Sequence, residues 1–176
     1  MKKIQFGSGG NQLEGWINTD FPEVDISKPL PFPDACASFI LAEHVLEHVT
    51  HKDAWNFLHE CYRVLTPGGA VRIAVPDVER IWFKFTPAYG EAVKAGGHGD
   101  GSLTDSVRAA IFEHGHQAVW NQSLLAVFLS CAGFKIQPQR PGKSAHPALV
   151  GVEGHGKLVG EEIANIETSV VEGWKV

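Results

Sequence analysis

With 176 residues, 44% of them hydrophobic and 20% charged, the chain has the composition of one globular domain with its own core, which argues against disorder. Its formal net charge of −5, with Lys and Arg scattered along the chain, gives no strong nucleic-acid signal and favours small or neutral partners. Three widely spaced cysteines, Cys36, Cys61 and Cys131, argue against a disulfide framework or a cysteine zinc site and read as reduced core residues. The apolar run after Lys3 breaks at Gly7, and no stretch reaches membrane-spanning length, so a cytoplasmic location is expected.

In chain order, strand-like Lys3 to Phe6 runs into glycine-rich GSGG, and Trp16 to Asp20 reads as a second strand ending in an acid. Only a short loop fits between them, about half the length of a full helix-bearing crossover. Val24 to Ile26 is a candidate third strand, KPLPFPDA must be loop, and Ser38 to Glu43 (SFILAE) suits a buried central strand. Thr50 followed by Asp53 makes a capping box. Ala54, Phe57, Leu58, Cys61, Val64 and Leu65 then recur at helical spacing until Pro67-Gly68-Gly69 stops the helix, and Ala70 to Val75 is the next strand. Strand, helix, turn and strand in that order predict a right-handed parallel crossover.

The second half is less regular. Asp77 to Lys94 carries Trp82, Phe83, Phe85 and Tyr89 and is helical in part, serving as core, interface or substrate platform. AGGHGDGS follows as a lid or linker. Ser102 to Asp105 opens a helix through about His114, and Asn121 to Ala132 is a helix ended by Gly133. FKIQ and TSVVEGWKV read as strands, and Pro138 to Gly160 as loop. A single domain is expected over 1–176, with a core at 1–77, a helical cover and lid at 78–133, and terminal strands with a loop at 134–176.

FGSGGNQLEGWINTD, DISKPLPFPDACASFILAEHVLEHV and LHECYRVLTPGGAVRIAVPD together resemble the core of class I S-adenosylmethionine-dependent methyltransferases, in particular a compact bacterial group of predicted methyltransferases. AGFKIQ and ETSVVEGWKV look like that family's last two strands. The resemblance implies a Rossmann-like α/β fold, a mostly parallel sheet with a C-terminal antiparallel hairpin and truncated early helices. It also implies S-adenosylmethionine as cofactor and a small-molecule or glycan-like acceptor, free or surface-attached.

By that resemblance Phe6, Gly7, Ser8, Gly9 and Gly10 form the cofactor loop, where glycine lets backbone approach a ligand. Asp20 takes the ribose hydroxyls, and Asp25 with Ile26 meets the adenine. Glu43 and His44 leave the central strand beside the methyl-bearing sulfonium, with His44 the first candidate for a base. His114 and His116, in EHGHQAVW, fall in the segment that folds over the substrate side. Plainer readings stand beside these: GSGG as a turn, Asp20 as a cap, Asp25 as a turn before the prolines, and Glu43, His44, His114 and His116 as surface residues.

HVLEH, His44 to His48, matches the H-x-x-E-H spacing of inverted zinc peptidases. The preceding strand and the Thr50 cap leave room for little more than one turn, and no downstream acid stands out as a third ligand, so no metal is expected. A non-catalytic binding or assembly protein on a degenerate methyltransferase scaffold is the other alternative. Shortened early helices would bare part of one sheet face, which predicts cover by the Asp77 to Tyr89 segment or by a second copy, hence a homodimer.

Overall fold

The computed structural model describes residues 1–176. Strand β1 is Lys2–Phe6 and β2 is Ile17–Thr19, joined by the glycine-rich loop with no helix between them. The third strand expected at Val24 to Ile26 does not form; residues 21–34 run as turns and bends. Asp25 Oδ1 accepts from Ser27 N at 2.8 Å and the Asp25 carbonyl from Lys28 N at 3.0 Å, a local turn that competes with sheet pairing. Pro29, Pro31 and Pro33 then offer no N–H to a ladder.

Strand β3 is Ala37–Glu43. Helix α1, His51–Val64, starts at the expected cap: Thr50 Oγ1 accepts from Asp53 N at 3.2 Å. Its buried stripe is Ala54, Phe57, Leu58, Cys61 and Val64, and Phe57 meets Phe6 edge to face at 5.2 Å. The helix ends before the glycines, because β4 already runs from Leu65 to Pro76. Thr66 to Gly69 are taken into the strand as an irregularity, where pairing jumps from Ala37 with Leu65 to Phe39 with Ala70. A Cβ on Gly69 would sit 2.9 Å from the Ser38 carbonyl, so this close approach needs glycine.

Four helices follow: α2 (Val78–Lys84), α3 (Pro87–Ala95), α4 (Leu103–Phe112) and α5 (Gln122–Cys131), capped by the side chains of Asp77, Thr86, Ser102 and Asn121. Buried Asp77 also accepts from Gln122 N at 2.9 Å and Ser169 Oγ at 2.5 Å, so one carboxylate fixes α2, α5 and the last strand. Strand β5 is Lys135–Gln139, and β6, Thr168–Trp174, closes the chain. Between them the expected loop contains short helix α6 (His155–Val159), and α7 (Glu161–Glu167) follows it.

The sheet order is β2-β1-β3-β4-β6-β5, with β1, β2, β3 and β4 parallel and β6 antiparallel to both its neighbours. Alternate strand residues face two different layers. Ile40, Ala42, Val71, Ile73 and Val171 join Phe57, Leu58 and Cys61 of α1 and Leu125 and Leu129 of α5 in the main core. On the other face Leu41, Arg72, Ala74 and Glu172 are buried too.

That second face is covered within the chain, and not by the expected Asp77 to Tyr89 segment. Residues 140–160 lie over it, with Leu149 and Val152 buried and Glu153 paired to the fully buried Arg72. The aromatic segment instead sits at the edge: Ile81 and Tyr89 pack with Ile166, while Trp82 and Phe83 are 55% and 81% exposed. Of the cysteines only Cys61 is a core residue; Cys36 is half-buried and Cys131 exposed, all three free. No helix is long and apolar enough to cross a membrane.

Candidate functional site

Strands β2 and β3 lie on opposite sides of β1, so the chain reverses its direction of travel across the sheet there, and a crevice opens beyond the carboxyl ends of β1 and β3. Gly7 leaves β1 at φ +66°, and a Cβ on it would lie 2.3 Å from Val45 Cγ2. Ser8 N donates to the Thr19 carbonyl at 3.0 Å, which holds the loop beside β2. Gly9 N and Phe21 N donate to the two oxygens of Asp20 at 2.8 and 2.9 Å. Asp20 therefore braces the glycine loop, and each of its oxygens retains a lone pair for a further donor.

A cavity of about 440 Å³ is lined here by Gly7, Ser8, Gly10, Asn11, Glu43, His44, Gly154, His155, Lys157 and Leu158. Phe6 and Ile26 are not among them: both are buried in the main core, with Phe6 between Phe32 and Phe57. Asp20 and Asp25 lie outside this lining, and Asp25, held below the usual carboxylate range first by its hydrogen bonds from Ser27, belongs to the turn already described. Glu43 accepts from Gly154 N at 2.7 Å and His155 N at 2.9 Å, so its carboxylate docks the start of α6 against β3.

A larger cavity of about 680 Å³ adjoins the first, and His44, His155 and Leu158 line both. His44 occupies a sparsely populated backbone region at φ +51°. Its Nε2 lies 3.1 Å from Thr168 Oγ1, its Nδ1 is 3.3 Å from Glu47 Oε1, and its ring stacks on His155 at 4.0 Å. Burial alone would lower the His44 pKa, but the carboxylates of Glu47, Glu43 and Glu167 outweigh it and hold the imidazole above its ordinary value. His155 Nε2 in turn bonds Glu167, whose other oxygen accepts from Tyr89 Oη at 2.8 Å. Burial would raise the Glu167 pKa; those two partners and His44 pull it below the usual range instead. Burial and the facing Glu167 push the Tyr89 phenol well up, so it acts as a neutral donor.

His114 and His116 both line the larger cavity, with His48 and His98. The H-x-x-E-H segment is no helix: Leu46–His48 is a single 3-10 turn, which sends His44 toward His155 and His48 toward His116, ring centroids 5.0 Å apart. Burial first, then the neighbouring imidazoles, holds the His114 pKa below its ordinary value. The sequence reading missed Asn11, His155, Lys157 and Glu167, and named Tyr89 only as part of the aromatic segment. Asn11 Nδ2 donates to the Val152 carbonyl at 3.0 Å and thereby ties the glycine loop to the covering segment.

Comparison with known proteins agrees with this geometry. Residues 7–73 match a family model described as a methyltransferase domain. A probable S-adenosylmethionine-dependent methyltransferase from Mycolicibacterium smegmatis is 35% identical over 65 residues, which span 35% of this chain and 24% of that relative. A Thermotoga maritima structure described as a SAM-dependent methyltransferase, possible histamine N-methyltransferase, superposes with a TM-score of 0.55 at 17% identity, over 99% of this chain and 82% of that one. A SAM-dependent methyltransferase from Archaeoglobus fulgidus gives a TM-score of 0.55 at 13% identity, over 98% and 85% of the two chains. Glycine loop and strand order agree with the fold of these structures, and residues 7–73 are similar to a methyltransferase domain; the chain spans about a quarter of the length of the curated relative it matches.

Proposed function

We propose that the protein binds S-adenosylmethionine over Gly7 to Gly10, with Asp20 reaching the ribose, and transfers its methyl group to a small acceptor held in the histidine-lined cavity. The observation that carries this reading is the meeting of the two cavities at His44 and His155. Transfer is an in-line displacement, so the reacting atoms must be aligned across one junction, and alignment accounts for much of the rate. A cavity of about 680 Å³ suits a small molecule. In this reading His44 takes a proton from an acceptor that must lose one, and His114 and His116 orient that acceptor.

S-adenosylhomocysteine tests the cofactor half. At about a hundred times its dissociation constant it adds about 2.7 kcal/mol of stability, a rise of roughly 5–10 °C in melting temperature for a chain of this size. Asp20→Ala should abolish the rise while leaving a cooperative apo transition. No shift at millimolar ligand overturns the reading.

Exposed Trp82 and Phe83 support a homodimer through α2, now on their account alone because residues 140–160 cover the sheet face. Light scattering should return twice 19.1 kDa at micromolar concentration, and Phe83→Glu should return the single mass. A wild-type monomer over that range removes the idea.

A further inference from the structure

Glu47, His48 and His116 each point a ligand atom at the others, all within 4.8 Å, although His116 lies far along the chain. Glu47 is 1% exposed, yet neither carboxylate oxygen has a hydrogen-bond partner; His44 Nδ1, 3.3 Å from Oε1, stands at ion-pair distance without hydrogen-bond geometry. A buried carboxylate left so is costly unless something cationic meets it. His116 Nδ1 lies 2.8 Å from the Ala110 carbonyl, which can only accept. The proton therefore sits on Nδ1, and Nε2 presents a lone pair, the outer-sphere arrangement that orients a metal-binding imidazole.

The two ligand segments are also clasped together. Gln117 N and Ala118 N donate to the Glu47 carbonyl at 2.7 and 3.1 Å, and Gln117 Nε2 donates to the His48 carbonyl at 2.7 Å. We propose that Glu47, His48 and His116 form a binding site for one divalent transition-metal ion, with zinc and cobalt the best fits. Two imidazoles and one carboxylate favour these over magnesium or calcium, which take oxygen donors. Donors about 2.1 Å from a tetrahedral ion stand ~3.4 Å apart, so the widest separation, within 4.8 Å, must contract by up to about 1.4 Å, which the exposed His48 ring can supply by rotating. Three protein ligands leave at least one position open toward the larger cavity, as in sites that bind water or a ligand atom. The site shares His116 with the proposed acceptor cavity, but its test by metal binding does not depend on methyl transfer.

The test is a cobalt titration of untagged, chelator-treated protein, followed by the d–d absorption of Co²⁺ and by zinc competition. One equivalent should bind at micromolar or lower concentration with a tetrahedral or five-coordinate spectrum. Glu47→Gln and His116→Ala should each weaken binding at least 100-fold, whereas His98→Ala, in the same cavity but outside the cluster, should change it less than threefold. Glu47→Gln keeps the side chain's shape and removes the charge, whose cationic neighbour is His44. The apo protein should still melt cooperatively while the metal-induced rise in melting temperature disappears. Cobalt uptake that is absent below millimolar, or equally weakened by His98→Ala, overturns the proposal, and S-adenosylhomocysteine binding measured on the same samples is read separately from it.

Discussion

Arg72→Met is expected to destabilise the protein by about 3–5 kcal/mol, the cost of leaving a buried ion pair's partner uncompensated, or roughly 6–20 °C in melting temperature. Arg72 is fully buried; its Nη1 donates to Glu172 Oε1 at 2.6 Å, its Nε to Glu153 Oε1 at 2.7 Å, and its Nη2 to the Arg140 carbonyl at 3.1 Å. The fork thus joins β4, β6 and the covering segment 140–160 at one point. Arg72→Lys keeps the charge but loses the fork, so an intermediate loss follows. Adding Glu153→Gln and Glu172→Gln to Arg72→Met should recover part of it, because the orphaned charges are then gone. Since residues 140–160 carry His155 and Lys157 into the glycine-loop cavity, binding of S-adenosylhomocysteine should weaken with stability. A loss under about 0.5 kcal/mol, the range of an ordinary surface substitution, would show that the segment is held by its apolar contacts alone.

The same cluster has a pH signature. Burial holds the Glu153 carboxyl above its ordinary range although Arg72 opposes it, and the nearby Glu43 carboxylate adds to the rise. A raised folded-state pKa means that this group's stabilising contribution is complete below the unfolded value and is lost as pH rises through the folded one. Glu153→Gln should flatten that part of the stability curve in chemical denaturation across mildly acid pH. An unchanged slope would place the proton elsewhere.

The parallel half of the fold is legible because its signals are local. Ile40, Ala42, Val71 and Ile73 alternate with their neighbours in short apolar runs, and Thr50 with Asp53 marks the start of α1 two residues from the strand-end turn. Val24 to Ile26 misleads for an equally local reason: apolar spacing suggests a strand, but Asp25 spends its side chain and carbonyl on a turn, and Ile26 enters the core from there. Helix α7 carried an unread signal, Ile163 and Ile166 three apart behind Glu161 and Glu162 in the first turn.

The candidate site was most legible where chemistry follows a strand end directly, with His114 and His116 reached by resemblance instead. Gly7 to Gly10, Glu43 and His44 sit at the carboxyl ends of β1 and β3, as their position after apolar runs implies. Glu43 nevertheless spends its carboxylate on the backbone of Gly154 and His155, a contact 111 residues away that no spacing announces. His116 meets Glu47 and His48 for the same kind of reason: the pairing is made by a loop clasp, and H-x-x-E-H directs attention to His44 instead.

Gly7→Ala should cost about 2–5 kcal/mol and remove S-adenosylhomocysteine binding, with two separable causes. An alanine at φ +66° carries a left-handed penalty of about 1–2 kcal/mol, and its Cβ, 2.3 Å from Val45 Cγ2, adds about 1–3 kcal/mol of overpacking. Gly9→Ala is the control, since Gly9 also has positive φ, +46°, but nothing within 4 Å of an added Cβ. It should show the backbone part only. Val45→Ala placed on Gly7→Ala should restore the packing part and leave the backbone part, a coupling of about 1 kcal/mol or more in a double-mutant cycle. Equal losses in Gly7→Ala and Gly9→Ala would mean that Val45 simply moves aside. The contact matters because Val45 lies between His44 and the Leu46–His48 turn: pressing the β1 loop against it fixes how far the glycine loop stands from the histidine-lined cavity. Displacement by one methyl group's width would separate the two cavities where they now share His44.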